Sequence, residues 1–158
     1  MKRVRQGFFN QYGFPGIVEC IDCTHVAIVP PPSNDEEHPE HLYVNRKSYH
    51  SINVQLICDA QLRIMNVNAR FPGSTNDSYI WNQTVVQALL RNIHGRRERD
   101  YFLLDAVDGT PEAHYNVVHK STRATVERCN GVLKARFRCL LKHRVLQFCI
   151  TVLNSPAK

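Results

Sequence analysis

The first half of the chain consists of short segments whose hydrophobic positions follow the period of a β-strand. Residues 49–59 and 63–71 alternate apolar and polar side chains, which predicts a hairpin that turns at residues 60–61. Two β-branched runs precede this hairpin, at 16–22 and at 25–29, and three prolines end the second run. The pattern therefore predicts three or four consecutive strands before the first helix.

The second half places hydrophobic residues at helical spacing, interrupted by one further strand. A helix is predicted over residues 77–93, after a turn at 72–78, and residues 101–105 predict another strand. The last helix is predicted from about residue 121 to about residue 141, with an apolar stripe along one face. This order predicts an α/β fold, a ribonuclease H-like mixed sheet flanked by helices, with a four-stranded ferredoxin-like arrangement as the alternative.

Length and composition are those of one globular domain. The chain has 158 residues, of which 43% are hydrophobic and 22% charged, and no apolar run is long enough for a transmembrane helix. We expect the domain to cover residues 8–150, with tails at 1–7 and 151–158. The basic N-terminus lacks the apolar segment of a secretory signal, so the six cysteines are expected to be reduced thiols of an intracellular protein.

Positive charge is concentrated in the last predicted helix. The whole chain carries a formal net charge of +6, and between Lys120 and Arg144 there are eight basic residues and one acid, Glu127. Such a segment is typical of a polyphosphate partner, although a solvated basic helix face is the alternative interpretation. The basic residues that we take as candidates for binding nucleic acid are Arg123, Lys134, Arg136 and Arg138.

Three carboxylates occupy positions where structural acids are unusual. Asp22 ends the first predicted strand, Asp105 ends the later one, and Glu127 is the single acid of the basic helix. In an open α/β sheet, the carboxyl ends of neighbouring strands open into a common crevice where ligands bind. Carboxylates that converge there can hold two divalent cations, which stabilise both the attacking and the leaving oxygen of a phosphodiester.

Each of these acids, and also Asp77 at the start of the helix predicted over residues 77–93, has a structural interpretation. Asp22 can cap a turn at residues 23–24, and Asp105 can form a turn. Asp77 follows Ser74 by three residues, which is the spacing of a capping box at a helix start. Glu127 can pair with a basic residue one turn away on the helix.

Two further features raise the alternatives of a zinc site at a cysteine pair and a metal site at a histidine pair. Cys20 and Cys23 form a single C-x-x-C pair, without the second pair that a zinc ribbon requires. His38 and His41 lie in a proline-rich acidic segment, residues 30–41, which is typical of an exposed loop. We expect a loop there and a strand through the first cysteine of the pair.

Several motifs, in order along residues 8–147, resemble the PIF/Harbinger-type DDE transposases and their domesticated group, the Harbinger transposase-derived nucleases. The strongest is Arg123-x3-Glu127-x6-Lys134, which is similar to the signature around the catalytic glutamate of that family. The other matching segments are Tyr12-Gly-Phe-Pro-Gly16, Cys20-Ile-Asp22-Cys-Thr-His25, Tyr43-Val-Asn-Arg-Lys47, Asn53-Val-Gln-Leu-Ile-Cys-Asp59 and Pro72-Gly-Ser-Thr-Asn-Asp77-Ser78.

The resemblance implies a nuclear endonuclease, also expected in the cytoplasm, that cleaves DNA phosphodiesters with Mg²⁺ or Mn²⁺. Asp22, Asp77 and Glu127 would be its catalytic and metal-binding carboxylates, with Asp105 as a fourth metal ligand in place of the family's own aspartate. Arg123 and Lys134 would face phosphate groups. DNA is the expected partner, together with a protein that supplies further DNA binding, and no membrane is involved.

One segment departs from the family pattern. Members of the family have Gly-Asp-Ser-Gly-Tyr after the strand that corresponds to residues 101–104, whereas here Leu104 runs directly into Asp105-Ala-Val-Asp-Gly. We therefore expect an incomplete domain, a truncated copy or splice form that lacks one strand of the sheet. The alternative function is a catalytically inactive remnant that binds DNA or protein.

Overall fold

The computed structural model describes residues 2–13, 16–95, 102–104 and 113–146 of the chain. The helices are α1 (Lys2–Tyr12), α2 (Asp77–Asn82), α3 (Val85–Gly95) and α4 (Ala113–Arg136). The strands are β1 (Ile17–Ala27), β2 (Ser51–Cys58), β3 (Ile64–Pro72) and β4 (Phe102–Leu104). Short 3₁₀ turns cover Glu40–Tyr43 and Arg138–Leu140. No helix of the described residues is long and apolar enough to cross a membrane.

The strands form one mixed sheet in the order β3-β2-β1-β4. The first three strands are consecutive and antiparallel, and β4 pairs with β1 in parallel. This confirms a mixed α/β architecture. It rules out the ferredoxin-like alternative, in which a helix follows the first strand, because β1, β2 and β3 follow one another with no α-helix between them.

The prediction of two separate strands at 16–22 and 25–29 is wrong. They are one strand, β1, in which Cys23 pairs with Gln55 and Thr24 pairs with Val54. The intervening residues contain no Gly, Pro or Asn that would turn the chain, and pairing with β2 satisfies their backbone groups. Asp22 therefore lies inside a strand, and there is no turn at residues 23–24 for it to cap.

The hairpin is confirmed, and a buried acid fixes its turn. Asp59 is 0% exposed, and its carboxylate accepts hydrogen bonds from the backbone N–H groups of Gln61 and Arg63, both at 2.9 Å. The Arg63 Nε donates to the same carboxylate at 2.6 Å. Leu62 adopts a φ of 63°, the left-handed conformation that closes the turn.

The single helix predicted over 77–93 is two helices, α2 and α3. The break lies at Thr84, whose hydroxyl donates to the Trp81 carbonyl at 2.9 Å. The same hydroxyl accepts from the Gln87 N–H at 3.3 Å, so it caps the second helix. The hydrophobic period continues across this break, which is why the pattern alone predicted one helix.

The two terminal helices also differ from the prediction. Helix α4 covers Ala113–Arg136, so it begins about two turns earlier and ends more than a turn earlier than predicted. Helix α1 was not predicted, and the proposed domain boundary at residue 8 lies inside it. Phe8 of α1 is 0% exposed and packs in a core cluster with Ile17 and Val126.

Helix α4 packs along one face of the sheet. Near one end of β1, Val126 and Cys129 of α4 join the cluster that contains Cys20. Further along, Leu133 packs against a second cluster that contains Val26. Between these two apolar clusters α4 presents polar side chains to β1, and the candidate site lies in this interval.

Candidate functional site

Asp22 is the central acid of the site. Its side chain faces α4, where Asn130 Nδ2 donates a hydrogen bond to Asp22 Oδ2 at 3.0 Å. Burial raises the pKa of Asp22, and the negative charges of Asp77 and Glu127 raise it further. The Cys23 backbone hydrogen bond and the Arg123 charge act in the opposite direction. The fold thus brings the three predicted catalytic acids close enough to interact electrostatically.

Asp77 is the first residue of α2, but it is not the acid of a capping box with Ser74. The residue that caps α2 is Asn76, whose Oδ1 accepts from the Ser78 N–H at 2.9 Å. Asp77 Oδ1 instead accepts from Asn53 Nδ2 of β2 at 2.7 Å. A buried amide on the sheet therefore orients this carboxylate toward the site.

Glu127 lies on the exposed surface of α4. Its side chain is 57% exposed, and Arg123 Nε lies 3.3 Å from its Oε1, as in the structural interpretation of a pair one helical turn apart. The charge of Glu127 nevertheless reaches Asp22 and raises the pKa of that carboxyl group. Glu127 thus forms the ion pair of the structural interpretation and also contributes negative charge to the surroundings of Asp22.

Within the described residues, no three His, Cys, Asp or Glu side chains lie close enough together to form a metal-binding group. Asp105 lies outside the described residues. The predicted carboxylate set of Asp22, Asp77 and Glu127 therefore remains a prediction, with electrostatic coupling but no assembled ligand sphere. The weak zinc alternatives gain no support, since Cys20 is buried and its Sγ donates to the Thr122 carbonyl at 3.4 Å. His38 lies 3.4 Å from the Asp35 carboxylate.

Two buried amide oxygens in the site have no hydrogen-bond partner among the described residues. These are Asn53 Oδ1 and Asn130 Oδ1, whose own Nδ2 atoms contact Asp77 and Asp22 respectively. Unsatisfied buried oxygens are rare, because each loses its hydrogen bonds to water without a replacement. These two amide oxygens are uncharged groups of the kind that bind cations, and they lie beside Asp77 and Asp22. The sequence analysis did not identify either asparagine as a site residue.

Lys134 of α4 contacts β1 directly. Its Nζ donates to Thr24 Oγ1 at 2.7 Å and to the His25 carbonyl at 3.0 Å. Burial lowers the pKa of Lys134, and the positive charge of Lys47 lowers it further, whereas Asp22 raises it. Arg136 and Arg138, the basic candidates that follow Lys134 in the chain, are exposed.

A cavity of about 470 Å³ adjoins Asp77. Basic, aromatic and hydroxyl side chains line it together with one carboxylate: Cys23, Thr24, His25, Arg46, Lys47, Tyr49, Asp77 and Lys134. Arg46 and Lys47 had no role in the sequence-based prediction. Their only sequence signal was their place in the segment Tyr43-Val-Asn-Arg-Lys47, one of those that resemble the family.

Comparison with known proteins supports a nuclease-type function. Residues 21–107 match the family model described as DDE superfamily endonuclease. HARBI1 of Bos taurus and HARBI1 of Homo sapiens, which carry the name of a nuclease, are each 30% identical to this chain over 154 aligned residues. Each alignment covers 89% of this chain and 42% of the relative, so the chain spans less than half the length of these relatives. No solved structure matches the chain.

Proposed function

This chain belongs to the DDE superfamily endonucleases, and on that premise we propose that it is the catalytic portion of a divalent-metal-dependent nuclease that hydrolyses DNA phosphodiester bonds. One observation supports this proposal above the others. Two carboxylates from elements far apart in sequence are each held by a buried amide: Asn130 Nδ2 donates to Asp22 Oδ2 at 3.0 Å, and Asn53 Nδ2 donates to Asp77 Oδ1 at 2.7 Å. Burial raises the pKa of Asp22, and the charges of Asp77 and Glu127 raise it further, so the ionised Asp22 carboxylate is unfavourable for stability and a functional role explains it better than a structural one.

The same proposal extends to the fold. A ribonuclease H-like sheet would have three antiparallel strands followed by one parallel strand beside the first, and the order β3-β2-β1-β4 is compatible with it. In this fold the first catalytic acid would lie on β1. That is where Asp22 is found.

The donor atoms fit a hard divalent cation. Mg²⁺ and Mn²⁺ prefer oxygen ligands, and the site combines carboxylates with the unpartnered amide oxygens of Asn53 and Asn130. Asp22 and Asp77 would hold the cation, and Asp105 would be a further ligand. Glu127 would join them by giving up its contact with Arg123. Such a cation would supply Lewis-acid stabilisation of the charge that develops on the phosphodiester.

The chain's own residues would then orient the reacting groups. Asn53 would hold the Asp77 carboxylate in position, and Asn130 would do the same for Asp22, through the hydrogen bonds given above. Lys134 lies at the edge of the same cavity as Asp77 and would face a phosphate oxygen. Arg136 and Arg138, exposed beyond it, would contact more distant phosphates, together with Arg123.

DNA in the nucleus is the proposed target, and a separate protein partner would supply additional DNA binding. A catalytically inactive DNA-binding module is the second candidate. It is favoured by the pairing of Glu127 with Arg123, which occupies the carboxylate that catalysis requires. The two functions differ in what the acids do, so substitution of the acids distinguishes them.

The test is nicking of supercoiled plasmid by the purified chain with Mn²⁺ or Mg²⁺. Glu127→Gln and Asp77→Asn remove a charge but keep the shape of the side chain, and Asn at position 77 can still accept from Asn53. Glu37→Gln, in the exposed loop, is a control with the same change in charge. We expect both site variants to lose nicking and the control to retain it. Nicking that survives Glu127→Gln would refute the assignment.

A further inference from the structure

The cavity beside Asp77 has more positive charge than its surroundings neutralise. Arg46, Lys47 and Lys134 line it, and Asp77 is its one carboxylate. Among the described residues, none of these three cations forms an ion pair. Burial lowers the pKa values of Lys134 and His25, and the positive charge of Lys47 lowers both further, so the basic groups around the cavity repel one another.

The backbone that carries Arg46 and Lys47 is held in one shape by a buried residue. Asn45 is 4% exposed, its Oδ1 accepts from the Lys47 N–H at 2.8 Å, and its backbone N–H donates to the Tyr49 carbonyl at 3.1 Å. Ser48 completes the turn with a φ of 57°, in the left-handed region that non-glycine residues rarely adopt. The side chains of Arg46 and Lys47 therefore project from a turn whose backbone is held in one conformation.

Further contacts fasten this turn to the sheet. Asn45 Nδ2 donates to Ser51 Oγ at 2.7 Å, and His25 Nδ1 lies 3.1 Å from the same hydroxyl. A Cβ atom on Gly73 would clash with the Ser51 side chain and with the Tyr43 carbonyl, so only glycine allows this close approach. His25 belongs to β1: its ring lies against Ser51, which also holds Asn45, and its carbonyl accepts from Lys134 Nζ at 3.0 Å, so the turn and helix α4 meet at one place on this strand.

We propose that Arg46, Lys47 and Lys134 form a binding site for a backbone phosphate of DNA, next to the phosphodiester that the acids would act on. This inference rests on the proposed nuclease function and names how its substrate would be held. Three cations from two elements would surround one phosphate, and an arginine can bind two phosphate oxygens at once. The bound phosphate would remove the repulsion between Lys47 and Lys134 and would place the adjoining strand against Asp77.

DNA is favoured over a free nucleotide by the position of the site. Asp77 lines the cavity, and three exposed basic residues follow Lys134 along the end of α4 and the next turn: Arg136, Arg138 and Lys142. A continuous polymer of phosphates would contact all of these groups, whereas a single nucleotide would not. Lys142 also lies over the Tyr49 ring, 4.7 Å from its centroid, which joins this basic row to the cavity wall.

The test compares charge-matched pairs of substitutions in the full chain. Arg46→Gln with Lys47→Gln removes two cations of the proposed site, and Arg70→Gln with Arg91→Gln removes two exposed cations that do not line the cavity. Binding of a fluorescent mixed-sequence DNA duplex is measured by anisotropy in EDTA over a range of salt concentrations, so that no cleavage contributes. All four side chains are exposed, and thermal melting verifies that both variants fold.

We expect the cavity pair to weaken binding about tenfold and to reduce the slope of log K against log salt by about 1, since one phosphate contact is lost. The control pair should bind nearly as the wild type does. Exchanging the two residues, Arg46→Lys with Lys47→Arg, should preserve binding because the charge is kept. Equal effects of the cavity pair and the control pair would overturn the inference.

Two further outcomes separate this inference from the nuclease proposal. In the first outcome, the wild type nicks plasmid with Mn²⁺, and the cavity pair binds and nicks DNA as well as the control pair does. That result would refute the phosphate site and leave the nuclease proposal standing. A wild type that neither binds nor nicks DNA would refute both. The last measurement is thermal melting in inorganic phosphate. If phosphate raises the melting temperature of the wild type but not of the cavity pair, and the two bind DNA equally, the site binds a free anion and the inference is overturned.

Discussion

The packing of α1 leads to a sharp prediction about stability, because two adjacent phenylalanines have opposite environments. Phe8 is 0% exposed, stacks on Tyr12 with ring centroids 6.2 Å apart, and lies in the core cluster that includes Val126 of α4. Phe9 is 50% exposed. Substituting alanine at each position removes the same atoms from the same helix, so the difference between the two variants measures burial alone.

The expected magnitude follows from the burial. Truncation of a fully buried Phe to Ala costs about 3–5 kcal/mol, made up of lost transfer free energy and the cavity that remains. A free energy of unfolding of about 5–15 kcal/mol is usual for a domain, so Phe8→Ala would remove a large fraction of it. At about 2–4 °C per kcal/mol for a chain of this length, the midpoint of melting should fall by roughly 6–20 °C.

The assay is thermal and urea unfolding followed by circular dichroism, with Phe9→Ala as the matched control. We expect Phe9→Ala to change the free energy of unfolding by less than about 0.5 kcal/mol, as is usual for exposed positions. Equal and small losses in the two variants would show that α1 is a dispensable tail. They would refute the reasoning that the first turns of the chain belong to the domain that carries Asp22.

Two predictions concern the acids directly. Asn53→Ala removes the amide that holds Asp77, and with it the hydrogen bonds to Asp77 at 2.7 Å and to the Thr75 carbonyl at 2.9 Å. We expect urea unfolding to show a destabilisation of about 1–3 kcal/mol. An unchanged free energy of unfolding would mean that Asn53 does not hold Asp77. The second is Asp22→Asn, which should raise the melting temperature near neutral pH in EDTA, because burial and neighbouring carboxylates raise the pKa of Asp22 in the folded chain. Its ionised form therefore destabilises the fold at any pH above the folded pKa, and the advantage of Asn should disappear as the pH falls below the pKa of the unfolded chain. An advantage that persists in acid would contradict this assignment.

Local patterns were sufficient for much of the sheet. The β2–β3 hairpin follows from strict alternation and a polar turn, and β4 follows from a short apolar run. Both signals come from neighbouring residues, so no knowledge of the fold was needed. The family, too, could be identified from sequence, since motifs such as Arg123-x3-Glu127-x6-Lys134 keep their spacing along the chain.

Other features required contacts between residues far apart. The two short runs before the hairpin form one strand because β2 pairs with the residues between them, and no local signal reports that pairing. Helix α1 has few apolar residues, and it is part of the domain because Phe8 fits the cluster formed by β1 and α4. Hydrophobic period alone also could not place the break at Thr84, where a side-chain cap interrupts a continuous apolar pattern.

The candidate site shows the same division. Sequence singled out Asp22, Asp77 and Glu127 by their residue types and motifs, which is information each segment carries by itself. Three other features depend on where β2, α4 and the turn at residue 45 meet. Asn53 orients Asp77, Asn130 contacts Asp22, and Arg46 and Lys47 share a cavity with Lys134. The chemistry of a side chain is local, but its electrostatic environment is the sum over groups brought near it by the fold, and only the tertiary structure determines that sum.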